Sequence, residues 1–539
     1  MAVVVNKVPQ LLETLTTDQA KAAAATWVQE NGAFLKDVVD KHKAWIAKAG
    51  VEKYQQAYDG TLESVDTRDK SRDDEVNHKL QVNYAQLIID TVVDYMLGKA
   101  PIWTVEAEQD NKPPDLKLLD EYRKDIIKLL RTEDAQRVLA EQLRQGSIAG
   151  YSPTLAWVDE NGNIDYDEFP VQEVAPVFDN RGRLRLVVRY YLLAPENGET
   201  AKTKLEIYDN RYVIYAISDE TGASFLLDPD EVVTGNPIEH KAARIPGGLF
   251  INGTPARHEK RRQKAGASDL SNGVFSLLEE YASALSDKAN TVDRLLDQYL
   301  LLTNVDTDKD EVKKMRKSRA IALKSKDSNA QFLAPNQDDK AVENYLDRLK
   351  EAIHEMTQVP KLSDLSGSTA TEIKMKYAGL DIKAGKKEIY FMAAVKQLVA
   401  VLTDMLNWKR LVEAGTPDPY QVLTGQATSS VPLYNADWLQ TTLTRNLPQN
   451  YLEIAQIVAQ LTGIVPDSYL YELLWFIEDP AAALEEMKKQ KETAAKNQAA
   501  AGLVAMGFGG EFGSTGSQGG NNGGTGTGSG AGTGTGGGN

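Results

Sequence analysis

Two helical segments, residues 268–300 and 338–359, enclose a short basic insert, and this arrangement constrains the fold of the chain more than any other feature. The first carries apolar residues at Leu270, Val274, Leu277, Leu278, Tyr281, Leu285, Ala289, Val292, Leu295, Leu296 and Tyr299, with charges filling much of the remainder. Steps of three and four predict an amphipathic helix. About 30 residues at ~1.5 Å each reach ~45 Å, too long for one face of a small domain. The second segment repeats the pattern at Val342, Tyr345, Leu349, Ile353 and Met356. Two such helices joined by a compact insert read as struts, which suit a large assembly better than a pocket enzyme.

A chain of 539 residues with 42% hydrophobic content can hold two to four domains around a substantial core. There is no cysteine, which excludes disulfides and thiolate metal sites and fits a reducing compartment. No basic segment followed by an apolar run opens the chain, so no signal peptide is expected. The most apolar stretch, Ile389–Trp408, is interrupted by Lys396, Gln397 and Asp404; it reads as a buried helix, and no membrane partner is expected. The net charge of −16 gives no global basic face for tight nucleic-acid binding. A passage through which DNA slides without sticking remains compatible with that balance.

Helices are predicted over 17–49 with Thr17 as N-cap, over His78–Gly98, and over 115–147. Strands are expected at Pro153–Val158, Ile164–Phe169, Leu184–Leu193, Lys204–Tyr208 and Arg211–Ile217, giving an α+β, mainly helical chain. Residues 254–267 form a basic, exposed loop, 372–411 a helix, and 448–492 at least three short helices. From Gly507 onward Gly, Ser, Thr and Asn dominate, a composition that cannot bury a core.

The catalytic and metal motifs all fail. Gly379–Lys387 (GLDIKAGKK) has the wrong glycine spacing for a phosphate loop and lies inside a helical pattern, so a solvated basic helix face is the expectation. Asp306-x-Asp308-x-Asp310 has Glu311 where a calcium loop needs glycine and Lys317 at its twelfth position, and reads as an acidic helix start. Asp159–Gly162 reads as a hairpin turn. The five histidines are scattered at surface or packing positions. No cofactor and no enzymatic activity are expected.

Two features carry information instead. The insert holds Lys309, Lys313, Lys314, Arg316, Lys317 and Arg319 on a short helix, followed by an apolar strand at Ala320–Leu323. Either a solvated helix face or a protein-docking knob at the tip of the struts accounts for these charges. Lys361–Ala370 (KLSDLSGSTA) cannot be helical throughout, because Pro360 ends the preceding strut and Gly367 relaxes the backbone. Thr369 and Glu372 form a capping box for the next helix. The loop is a connector, unless the helices line a hole into which it projects.

Five blocks in order resemble tailed-bacteriophage portal proteins of the siphophage type. They are Asn77–Pro101 (NHKLQVNYAQLIIDTVVDYMLGKAP), Gly150–Asp179, Ser268–Val305, Ser366–Lys387, and Thr444–Asn450 (TRNLPQN) with the following LTGIVPDSYLYELLWFIEDP. The resemblance implies a homo-oligomeric ring of about twelve subunits at one capsid vertex. Such a ring is the double-stranded DNA channel and the docking platform for the terminase motor and head-completion adaptor. It sits among major capsid and scaffolding proteins in the virion, having assembled in the host cytoplasm. Mapped onto this chain, the wing is 1–267, the stem helices 268–300 and 338–359, the clip 301–337, the tunnel loop 360–371, the crown 372–500 and the Gly-rich tail 501–539. Lys361, Ser366, Gly367, Ser368, Thr369, Lys374 and Lys376 are then the candidate channel residues, and the six basic residues of the insert the candidate clip contacts. The rivals are a head–tail adaptor, usually much shorter, and a helical enzyme with an unreadable site.

Overall fold

A computed structural model describes residues 3–5, 8–69, 77–106, 115–194, 201–219, 222, 224–229, 235–253, 266–271, 273–296, 299–303, 308–318, 329–333, 339–361, 370–446 and 458–466, with a few helical residues between 470 and 493. The chain divides into residues 1–448 and 449–539. In the second unit the described residues include a helical turn that closes on a bridge between Thr462 and Val465. The elements below belong to the first.

The predicted helix over 17–49 is two helices, α1 (Thr17–Glu30) and α2 (Gly32–Ala49). The Asn31 side chain donates to Trp27 O at 2.8 Å, a local bond that competes with helix propagation and breaks it there. The N-cap is Thr16 rather than Thr17, because Gln19 Oε1 reaches back to Thr16 N at 3.1 Å in a capping box. After α3 (Val51–Tyr58) and α4 (Glu63–Asp66), α5 spans Tyr84–Leu97. It starts later than His78 because Asn83 Oδ1 caps Gln86 N at 3.0 Å. The residues before it are tied elsewhere, Leu80 N donating to Ser286 Oγ at 3.0 Å and His78 N to Asn290 Oδ1 at 2.7 Å. The 115–147 prediction likewise divides into α6 (Leu116–Leu130) and α7 (Glu133–Ala149), since Thr132 Oγ1 caps Ala135 N at 3.0 Å.

All five predicted strands form, with small shifts at their ends: β3 (Tyr151–Val158), β4 (Ile164–Glu168), β6 (Leu184–Leu192), β7 (Thr203–Tyr208) and β8 (Tyr212–Ser218). Strands β1 (Val3–Val4), β2 (Ile102–Val105), β5 (Val174–Phe178), β9 (Phe225–Leu227), β10 (Ile238–Glu239) and β11 (Gly247–Ile251) were not predicted. The large sheet runs β1-β5-β6-β7-β8-β10 with β9 on β8; β1 is parallel to β5 and the other pairs are antiparallel. Helices α1 and α2 lay Trp27, Val28, Leu35 and Val38 against Val177, Val188, Ile207 and Ile214 of this sheet. At ~1.5–3 kcal/mol per large side chain buried, this face alone holds the layer. The Asp159–Gly162 turn forms as predicted, Asp159 Oδ1 accepting from Asn161 N and Asn163 N and Gly162 taking φ +81°.

The chain continues through α8 (Val274–Leu296), β12 (Tyr299–Thr303), α9 (Lys309–Ser318), β13 (Asn329–Leu333), α10 (Asp339–Thr357), α11 (Ala370–Glu413), α12 (Pro419–Leu423) and β14 (Leu439–Thr442), the last paired with β2. The 44-residue α11 is the spine of a second core. Its Leu380, Ala384, Phe391, Leu398 and Leu402 pack with Ile88 and Val92 of α5, Leu143 of α7, Leu278 of α8 and Ile353 of α10. This helix is long and apolar enough to cross a membrane by length and composition. The apolar stretch predicted as buried is in that core, with Phe391, Val395, Leu398, Val401, Leu402, Met405 and Trp408 all buried. Close approach depends on two glycines. A Cβ on Gly248 of β11 would lie 2.6 Å from Ala394 O of α11, and one on Gly146 of α7 would lie 2.2 Å from Phe250 Cδ1.

Candidate channel and docking surfaces

Helices α8 and α10 are antiparallel struts. An added Cβ on Gly273 would sit 3.6 Å from Met356 Cε, the Tyr345 hydroxyl donates to Glu280 Oε1 at 2.9 Å, and Lys288 pairs with Glu343. The first helix is shorter than the predicted 268–300. Ser268 Oγ accepts from Leu270 N at 3.1 Å in a turn ahead of the helix. At the other end the apolar run Tyr299–Thr303 is β12, paired from Tyr299↔Leu333 to Thr303↔Asn329. Residues of such a run lose less by pairing as a strand than by continuing a helix into solvent.

The insert between β12 and β13 contains α9, as the basic pattern predicted. Lys309, Lys313 and Lys314 are exposed on it; Arg316 and Lys317 lie on the same helix. Arg319 and the strand predicted at Ala320–Leu323 fall outside the described residues. Asp308 Oδ1 accepts from Asp310 N at 3.0 Å, the acidic helix start expected of this stretch.

At the opposite end of the struts, Ser366, Gly367, Ser368 and Thr369 fall outside the described residues, while both flanks of the loop are described. Lys361 lies 3.7 Å from Glu351, and His354 Nδ1 bonds Val359 O at 2.9 Å, closing the end of α10. Lys361 and Lys376 line a groove of about 390 Å³ together with Glu351, His354 and Glu355. Lys374 and Lys376 are exposed on the first turns of α11, beside the exposed Glu372. Glu351, Glu355 and Glu372 thus lie among the three lysines.

The basic segment Gly379–Lys387 departs from the solvated face predicted for it. Lys387 is buried; its Nζ donates to Asp269 Oδ2 at 2.8 Å and to Ser147 Oγ at 2.7 Å. Lys383 Nζ stands 3.5 Å from the same carboxylate and donates to Thr357 O at 3.2 Å, and Asn252 Nδ2 donates to Asp269 at 2.9 Å. Only Lys386 of the three remains exposed. Burial alone would raise the Asp269 carboxyl, but the charges of Lys387 and Lys383 and the bonds from Lys387 and Asn252 override it and hold the group below its ordinary range. Burial lowers Lys387 against the opposing pull of Asp269. The cluster joins α7, the residue after β11, the approach to α8, the end of α10 and the middle of α11. One signal for it was legible: Lys387 occupies the core position in the series Leu380, Ala384, Lys387, Phe391.

Further ties bind α8 to the N-terminal half. Arg68 pairs with Asp287 and donates to Ser283 O at 2.9 Å, and His78 pairs with Asp293. His42 is buried between two hydroxyls, Nδ1 at 2.8 Å from Tyr190 and Nε2 at 2.6 Å from Tyr151, a packing role as predicted. Among the described residues no group of His, Asp and Glu is arranged to hold a metal ion.

Residues 40–497 match the family model described as phage portal protein, SPP1 Gp6-like. The portal protein of Bacillus phage SPP1 is 23% identical over 437 residues, covering 79% of this chain and 78% of that protein. The portal protein of Clostridium phage phiCD119 is 21% identical over 458 residues, covering 79% and 88%. With its paired struts, basic insert and helical spine inside the matched span, this chain belongs to the SPP1 Gp6-like family of phage portal proteins.

Proposed function

We propose that the chain assembles with copies of itself into a closed ring of about twelve at one capsid vertex. DNA enters and leaves through the centre, and the terminase motor and then a head-completion adaptor dock on the α9 insert. Major capsid and scaffolding proteins surround the ring. The wing, stem, clip, tunnel-loop, crown and tail boundaries set out from the sequence are part of this reading, as is assembly in the host cytoplasm before incorporation into the virion.

Alongside family membership, the observation that carries it is the strut pair. It carries a basic helix at one end and a lysine-flanked loop at the other. A match over most of the chain favours the portal reading over a short adaptor. Electron microscopy of the purified full chain in negative stain tests it, with annular particles expected. A stable monomer at micromolar concentration by light scattering would refute it.

A further inference from the structure

Helix α11 is apolar on two opposite sides. Tyr377, Leu380, Ala384, Phe391, Val395 and Leu398 face the core. Opposite them, Met375, Ile382 and Ile389 recur every seventh residue and are 73%, 70% and 69% exposed. A seven-residue repeat puts the three on nearly one line, ~21 Å long at ~1.5 Å per residue. Ala378 and Gly385 lie between them, and the Arg445 guanidinium, paired with Asp381 and Glu388, stands beside Gly385. Single exposed apolar side chains are ordinary on a protein surface; a line of three at heptad spacing is the pattern of a packing seam. Lys386 stands on the same line and Lys396 close beside it, both exposed.

The strut pair carries a second exposed apolar surface, edged by carboxylates and by Arg348. Val292, Tyr345 and Met356 are 45%, 46% and 50% exposed there, and Glu280 and Glu355 beside them are exposed too. We infer that the Met375–Ile382–Ile389 seam of one copy packs on the Tyr345–Met356 face of the next copy's struts, with Lys386 and Lys396 opposite Glu280 and Glu355. This rests on the ring reading and names the contact that closes the ring. Two different patches on one chain make a head-to-tail contact, the kind that generates rings. A two-fold pairing of seam with seam would bring lysine against lysine, at a cost in like-charge repulsion.

The test uses the full chain. Ile382→Asp/Ile389→Asp removes the seam at exposed positions, so circular dichroism and thermal midpoint stay as in the parent. The concentration needed for annular particles rises by about tenfold or more. Lys386→Glu/Lys396→Glu weakens assembly in the same direction, and adding Glu280→Lys/Glu355→Lys to that chain restores it. Rings from both seam variants at the parent's concentration would overturn the inference. So would a lowered thermal midpoint with unchanged assembly, since the seam would then be packed within its own chain. Absence of rings from the parent chain, by contrast, would remove the ring reading itself.

Discussion

The ammonium of Lys387 lies 2.8 Å from the Asp269 carboxylate, in the interior of the molecule and 118 residues apart in the chain. Because Lys383 touches both Asp269 and the last turn of α10, the two struts and the spine meet at one buried ionic cluster. A buried charge is tolerated only while its partner is present.

Lys387→Met should therefore destabilise the chain by about 3–5 kcal/mol, since it leaves a buried carboxylate with only the more distant Lys383. Asp269→Asn/Lys387→Met should recover most of that loss, because no uncompensated charge remains. Urea unfolding at fixed protein concentration measures both; equal losses in the single and double variants would exclude an electrostatic origin.

The His42 imidazole is pushed down to about 3 by burial. Unfolded, it takes up its proton near its ordinary value of 6.5, so between these limits the unfolded state binds more protons and stability rises with pH. The contribution is complete above 6.5 and is lost as pH falls toward about 3. His42→Gln should be less stable than the parent at neutral pH, and the gap should narrow by about 2 kcal/mol on going to about pH 5. Parallel pH profiles of the two chains would contradict the assignment. Burial pushes His240 down similarly, to about 4, so the same comparison applies to it.

Charge reversal of the α9 insert, Lys313→Glu, Lys314→Glu, Arg316→Glu and Lys317→Glu together, should weaken binding of the packaging motor and change its salt dependence while rings still form. Pull-down at two salt concentrations reads this. Unchanged motor binding would return these residues to a solvated helix face.

Gly367→Pro, or bulky replacement of Ser366 and Ser368, should leave rings intact and reduce the DNA packaged per particle. Small side chains let a loop shift at low steric cost as DNA passes. Normal packaging by bulky-loop rings would show that this loop does not touch DNA.

The local pattern of the chain determined a good deal. Apolar steps of three and four predicted struts over 268–300 and 338–359, which form as helices over 274–296 and 339–357; strand-like runs placed β3, β4, β6, β7 and β8, and the Asn161–Gly162 pair placed a turn. The basic insert was legible for the same reason: its charges are near neighbours on one short helix. Helix breaks were harder to read. Asn31 and Thr132 interrupt runs whose periodicity continues across them, and each break is set by one hydrogen bond. Short strands such as β1 and β10 exist only because a partner strand is alongside, and nothing in two residues announces it. Tertiary structure alone decided the fate of Gly379–Lys387. Three lysines in five residues read as a solvated face, yet Asp269, brought in from 118 positions away, supplies the charge that keeps Lys387 inside. The core spacing of Lys387 in the series Leu380, Ala384, Lys387, Phe391 was legible in the sequence, but a counter-charge fixed by long-range packing has no local signature, so the partner that lets a charge stay at that position was not.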